Sequence, residues 1–534
     1  MKKKLLILFL LLILLKIILS IFIQFPLGFS DSLTYQESAK TFFDTLDITK
    51  MAESKYPFLY SLIISPAFFF EDMNIVMLII RIINSILSSL IIFPIYLLAK
   101  EFFNKKKSFL IAVICGFIPP FFIFTFTSMS ENLFYPLFIF SIYAIYKSFN
   151  KNNLEWNIIA GVLIGLTLLT KILGIILIPV IIIMLLFNIK QYKTKSLLLF
   201  NTFIISLTWI ISRLINSSFN LIQATGYQPS IEKAASGIFL TTKLIWVFLY
   251  TDYLILASGI FLFIFALALI IKYKHLNKKQ KILIQITLIS TLFLLIICAN
   301  HSGSFENYKD YKTIGRYIEC LIPIFLILGF IQLEKNEKPN KIFLIIISLF
   351  TIFTSYFILF DKFFPLNNSS LIHIGILKYF LNYFQINSIL IITIIITLIT
   401  ILLIITIPKI KINKLHLLVL AYFVLLTFAN ITVIFYDTQE RWLTSEGVEI
   451  GKWINNNLKK DSTFLFDIED INKEPLHKIE IDNQKKPTHI AAYWIRGKWT
   501  LNEINEDYDY IITSKDLEKE LIYIDSSGTK IYKT

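Results

Sequence analysis

Charge is the scarcest resource in this 534-residue chain: Asp, Glu, Lys and Arg together make up only 16%, against 56% apolar residues and a mean hydropathy of +0.69. A water-soluble surface needs roughly a quarter of its residues charged, so an ordinary soluble enzyme is excluded and most of the chain belongs in lipid. Cysteine is nearly absent. Cys115, Cys298 and Cys320 lie in or beside apolar runs without metal or redox spacing, which leaves them as packing residues. Glycine and proline number only 16 and 15, and no internal repeat of period 20–50 is visible.

What is present is a net charge of +14 with an uneven distribution. The loops read as cytoplasmic hold 23 Lys, no Arg and 4 Glu, whereas residues 436–534 hold 14 basic and 19 acidic side chains. The positive excess is therefore a loop asymmetry of the positive-inside kind, and no nucleic-acid partner is expected. Apolar runs predict thirteen helices near 4–24, 74–99, 108–126, 132–147, 157–170, 172–189, 196–215, 240–271, 281–299, 317–333, 342–360, 386–408 and 415–435. The lysine-rich loops then alternate to the inner side, so the N-terminus is cytoplasmic and the tail extracytoplasmic in a multi-pass plasma-membrane protein.

The expected fold class is an α-helical polytopic membrane protein with a small C-terminal α/β domain. Residues 1–435 form the membrane part, with a first outer loop at 25–73, and 436–534 form the extracytoplasmic domain. Lys16 lies inside the first span, where an unpaired ammonium costs about 3 kcal/mol, so it faces the bundle or snorkels. The runs 132–147 and 157–170 are short for a span, and 240–271 is too long, with an interfacial start expected around Trp246, Tyr250 and Asp252. Gly161 and Gly165 make a small-xxx-small packing pair. In the tail, a helical stripe over 441–460 precedes strand-like runs at 463–468, 478–481, 489–495, 508–513 and 521–524, with turn residues at 525–529. His477 and His489 are isolated there and read as surface or core residues.

The first outer loop carries the informative residues. Asp31 follows the first helix closely, in Phe-Ser-Asp-Ser-Leu-Thr-Tyr; then comes Lys55-Tyr56-Pro57-Phe58-Leu59-Tyr60, and Arg81 opens the next helix. Phe42-Phe43 would let parts of this loop lie on the membrane surface. Ser130-Glu131-Asn132 sits in the shortest outer connection, Thr170-Lys171 between two apolar runs, and Gly315-Arg316-Tyr317 ahead of Pro323.

Taken in this order, these motifs resemble those of GT-C membrane glycosyltransferases, over roughly residues 1–330. The protein O-mannosyltransferase and aminoarabinose transferase group is the most similar; the Trp-Trp-Asp-Tyr-Gly motif of oligosaccharyltransferases is missing. Glu131 stands where many relatives carry Asp, which keeps the charge and moves the carboxylate. The resemblance implies transfer of a hexosyl or pentosyl group, with inversion, from a polyprenyl phosphate (undecaprenyl or dolichyl) to a lipid, glycan or protein acceptor at the extracytoplasmic face.

That chemistry needs a carboxylate base for the acceptor hydroxyl and cations for the departing phosphate, without the second, proton-donating carboxyl group of a glycosidase. Asp31 is the expected base, with Glu131 as the second catalytic carboxylate. Lys55, Arg81, Lys171 and Arg316 are the expected phosphate ligands, and Tyr35, Tyr56 and Tyr317 the substrate contacts. No cofactor is implied for certain; a divalent cation held jointly by Asp31 and Glu131 stays open. Arg81 has an alternative as a helix-end anchor, Lys171 as an ion-pair partner in a turn, and Arg316 as a partner of Asp310. His301 is read as incidental. The rival from another class is a multi-helix transporter or lipid flippase, which would show charged residues near the bilayer midplane and repeated halves; a scaffold protein is the third reading.

Overall fold

The computed structural model describes residues 2–23, 30–51, 56–187, 240–303, 313–335, 366–384, 412–438, 446–467, 490–502, 507–526 and 528–534, with short stretches between 200 and 211, 345 and 354, and 391 and 402. Lys55, Asp310, His477, His489 and most of the helices expected at 196–215, 342–360 and 386–408 lie outside these residues.

Among the described residues, four helices are long and apolar enough to cross a membrane: Lys2–Phe22, Met73–Ala99, Lys278–Ser302 and Leu415–Tyr436; two bent pairs raise the number to six if each is one span. Polar caps fix where several begin. Asp72 accepts from the Asn74 backbone N–H, Asn104 from Lys107 and Asn277 from Gln280. The expected run 108–126 is broken: Lys105–Gly116 turns by 67° into Pro119–Phe126, because Pro119 and Pro120 cannot continue the hydrogen-bond ladder.

The other departures from expectation have equally local causes. The run 132–147 is not short; its helix covers Glu131–Lys151 and stops at Asn152, whose left-handed conformation ends it. Asn153 then caps Leu154–Thr170, which is 17 residues long. The overlong run 240–271 is two helices, Leu240–Ala257 and Phe261–Ile271, joined at Gly259 (φ +71°), a backbone state that glycine adopts freely. Trp246, Tyr250 and Asp252 are buried against neighbouring parts of the chain. Gly165 does serve packing: a Cβ there would stand 2.6 Å from Ile205.

Lys16 faces the bundle at 1% exposure. Its ammonium donates to Ser88 Oγ (2.7 Å) and to the Phe121 carbonyl oxygen (2.9 Å) and lies over the Phe122 ring. A buried charge survives in such a place only with polar partners of this kind.

The segment between the first two spans is structured, with helices Ser30–Thr45, Ile48–Met51 and Leu59–Ile64 and a 3₁₀ turn Ser65–Phe69. In the C-terminal part, the helix Glu446–Asn457 covers a five-stranded mixed sheet. Its strands are β1 (Phe464–Asp467), β2 (Trp499–Asn502), β3 (Tyr510–Thr513), β4 (Glu520–Ile524) and β5 (Lys530–Lys533), in the order β2-β1-β3-β5-β4. β1 is parallel to β2 and β3, and β5 is antiparallel to β3 and β4. Three expected strands are present. The run 489–495 is instead helical at its start and a 3₁₀ turn at Ala492–Trp494, since its apolar residues are buried on every side rather than alternating. β2 and β5 were not anticipated; they lie outside the expected strand-like runs.

Candidate active site

Five of the expected residues converge from separate parts of the chain. Asp31 sits in the first turn of the helix Ser30–Thr45. Glu131 opens the helix Glu131–Lys151, Lys171 follows the last residue of Leu154–Thr170, and Arg316 lies in the 3₁₀ turn Gly315–Tyr317. Tyr56 OH donates to Asp31 Oδ1 at 2.7 Å, and Arg316 Nη2 donates to Asp31 Oδ2 at 3.1 Å. The other arm of the guanidinium, Nη1, reaches Glu131 Oε1 at 3.6 Å, and Lys171 Nζ meets the same oxygen at 2.5 Å.

One guanidinium therefore bridges two carboxylates that are 100 positions apart in sequence, with an ammonium beside it. The pairs are unequally buried. The Asp31 side chain keeps 23% exposure while that of Glu131 has none, so of the two carboxylates Asp31 is the one a substrate can approach. Tyr317 closes one side, with Lys171 Nζ 5.2 Å and the Arg316 guanidinium 5.3 Å from its ring centre. Tyr35 packs 5.0 Å from Tyr56 and hydrogen-bonds to Ser130 Oγ at 2.8 Å. The three expected tyrosines thus line or brace the cluster.

Arg81 has a different position. Its guanidinium donates to the carbonyl oxygens of Ile23 and Ser20 at the end of the first helix, which is the helix-anchoring role named above as the alternative to phosphate binding. Basic side chains suit that end because the last carbonyls of a helix lack partners.

Several residues that sequence reasoning did not single out hold the cluster in place. Asn132, next to Glu131, donates to the carbonyl oxygens of Phe124, Thr127 and Met129, and Asn84 donates to Thr127 O while accepting from Tyr60 OH. Gln36 reaches Ser128 Oγ at 2.7 Å. The short connection ahead of Glu131 is thereby tied to three helices. The faint signal was Asn84 lying one turn beyond Arg81 in a largely apolar helix, where a buried amide needs partners.

The Arg316 turn is gripped just as closely. Its N–H donates to Asn367 O, its carbonyl accepts from Tyr135 OH, and the buried Glu319 three residues on accepts from Tyr253 OH at 2.7 Å and from Ser370 N. Only glycine fits at position 315: a Cβ would stand 2.0 Å from the Tyr253 ring. Gly315→Ala is expected to destabilise the protein by about 1–3 kcal/mol through overpacking, read as a lowered thermal unfolding midpoint of the detergent-solubilised protein; an unchanged midpoint would mean that the turn yields freely.

A family model described as dolichyl-phosphate-mannose-protein mannosyltransferase matches residues 56–215. Among solved structures, the chain is similar to ArnT from Cupriavidus metallidurans in the apo state, with 12% identity, 99% of this chain and 98% of that one covered, and a TM-score of 0.59. ArnT from the same organism bound to undecaprenyl phosphate gives 12% identity, 93% and 85% coverage and a TM-score of 0.56. At this identity the likeness concerns the fold, which extends over the whole chain including the C-terminal sheet. No curated protein matches by sequence.

Proposed function

We propose that the protein is an inverting glycosyltransferase that moves a sugar from a polyprenyl phosphate to an acceptor at the extracytoplasmic membrane face. The observation that carries this reading is the Arg316 guanidinium bridging Asp31 and Glu131 with Lys171 alongside. Such a cluster offers a base and an anion site within one side chain's reach. The undecaprenyl phosphate bound to ArnT supports a donor of that class, and the match to a mannosyltransferase family supports sugar transfer. The transporter reading is not favoured, since the ionisable residues gather where a loop helix and helix ends meet.

In the proposed reaction the acceptor hydroxyl oxygen attacks the anomeric carbon, the bond from that carbon to the phosphate oxygen breaks, and the lipid phosphate leaves with the bonding electrons. The hydroxyl proton passes to Asp31. Its two oxygens accept from Tyr56 and from Arg316, two donors on a carboxylate that offers about four acceptor sites. Arg316 and Lys171 stabilise the charge growing on the phosphate, Arg316 through its planar fork. Glu131 holds both cations in place and touches neither reacting atom. Lys55 is proposed as a further phosphate ligand on sequence grounds alone.

A divalent cation shared by Asp31 and Glu131 would have to sit where the Arg316 guanidinium bridges them, so the residues as arranged do not fit one, and no step is routed through a metal.

The decisive experiment is release of radiolabelled sugar from a polyprenyl-phosphate donor by purified protein; a protein that holds the donor lipid and never cleaves it would refute the reading. The proposed sidedness has its own test. With the N-terminus inside, a cysteine at Asp47 is expected to react with an impermeant thiol reagent in intact cells, and one at Lys279 only after permeabilisation. The reverse pattern would move the site to the cytoplasmic face.

A further inference from the structure

The C-terminal part of the chain is not a separate appendage. Residues 493–499, which lead into β2, lie along one face of the helix that carries Asp31. Arg496 makes a bidentate pair with Asp44, Nη1 to Oδ2 at 3.0 Å and Nη2 to Oδ1 at 2.7 Å, and stacks near Phe43 and Phe68. Trp499 Nε1 donates to Glu37 Oε1 at 3.0 Å. Lys40, only 5% exposed, donates to the Gly497 carbonyl oxygen at 2.7 Å and pairs with Glu37. Tyr493 is hydrogen-bonded to the side chain of Ser32, the residue after Asp31.

Ser32, Lys40 and Asp44 are spaced by multiples of four, and Glu37 lies three residues before Lys40 and seven before Asp44, so these four share one side of the helix. Asp31 and Tyr35, also four apart, form the adjacent stripe that faces the cluster. The clamp itself is rigidly founded. A Cβ at Gly497 would overlap the Ser462 carbonyl oxygen at 1.8 Å, and Phe464 at the start of β1 bonds to Lys498 O, so this segment is pressed onto the sheet on its other side. A helix whose own composition is mostly polar, with mean sequence propensity too weak to hold it alone, needs such tertiary contacts to keep one orientation.

We propose that the C-terminal sheet acts as a clamp that sets the position of the catalytic base, with Tyr493, Arg496 and Trp499 as positioning residues acting through Ser32, Asp44, Glu37 and Lys40. The inference rests on the reading of Asp31 as base. The tail then contributes to transfer without touching the sugar, the phosphate or the acceptor.

The test uses the full-length protein. In Arg496→Ala, the turnover number is expected to fall by about tenfold with the donor KM little changed, because a displaced base costs rate rather than binding. Trp499→Phe, which keeps the ring and removes the N–H, is expected to act in the same direction. Exchanging the charges, Arg496→Glu with Asp44→Arg, is expected to recover most of the turnover that Arg496→Glu alone loses. Hydrogen exchange gives a readout independent of activity: backbone amides of residues 33–45 are expected to exchange about tenfold faster or more in Arg496→Ala, while those of the helix Glu131–Lys151 stay as in the wild type. Wild-type turnover in both Arg496→Ala and Trp499→Phe, a charge exchange no better than Arg496→Glu alone, or unchanged exchange in residues 33–45 would each overturn the clamp. If the wild-type protein transfers no sugar, the glycosyltransferase reading falls, and hydrogen exchange still decides whether the tail holds this helix.

Discussion

Asp31→Asn is expected to lower sugar transfer by about a hundredfold or more, the usual magnitude for losing a general base, while the protein still folds and binds undecaprenyl phosphate. The substitution is nearly isosteric. The amide oxygen can still accept from Tyr56, but the amide cannot take a proton from the acceptor hydroxyl and offers Arg316 no negative partner. The control lies in the same segment. Asp47 is exposed and accepts from the Thr49 N–H and hydroxyl within its own turn, bonds that hold its carboxyl below the usual range. Asp47→Asn is therefore expected to leave transfer close to wild type. Asp44 is a less neutral comparison than its place in the loop suggests, because it is paired with Arg496. Single-turnover transfer from a radiolabelled donor separates the two variants; if Asp31→Asn turns over like Asp47→Asn, Asp31 is not the base.

The second large effect is expected at Arg316. Removing one preorganised donor to developing charge typically costs 10²–10³ in turnover, so Arg316→Ala is expected to lose roughly that much. It also leaves Asp31 without its guanidinium partner and Glu131 with Lys171 alone. Removing one member of a buried ion-pair cluster is structurally costly as well, which is why Arg316→Lys is the sharper variant: it keeps the charge and loses the fork. A lysine has no second arm with which to bond Asp31 and stay paired with Glu131, and the recovery is expected to be partial. Turnover normalised to folded protein, measured by size-exclusion recovery and thermal midpoint, checks this. Full activity in Arg316→Ala at normal recovery would remove the residue from the phosphate site.

Much of this was legible in the residues because membranes impose simple rules. Runs of Leu, Ile and Phe mark segments that must satisfy their backbone internally, so the multi-helix architecture follows from composition, and the change of composition after 436 announces the C-terminal part. Asp31 stood out by its place six residues after the first apolar run, and Glu131, Lys171 and Arg316 by lying in connections between runs, in an order of motifs that resembles the GT-C group. The tyrosines near them came along by motif.

Local hydrophobicity was enough to mark most of the apolar helices and the charged side chains beside them, but not the short strands β2 and β5 or the break in 240–271. Which residues meet is a matter of packing. It joined Asp31 to Arg316 across 285 positions and Arg496 to Asp44 across 452, turned Arg81 to the end of the first helix, and bent the segment 240–271 at Gly259. Pairing over such distances is set by how helices pack and how loops close, and no local pattern encodes it; a carboxylate three residues from a helix start reads the same whether it meets solvent, a guanidinium or a sugar.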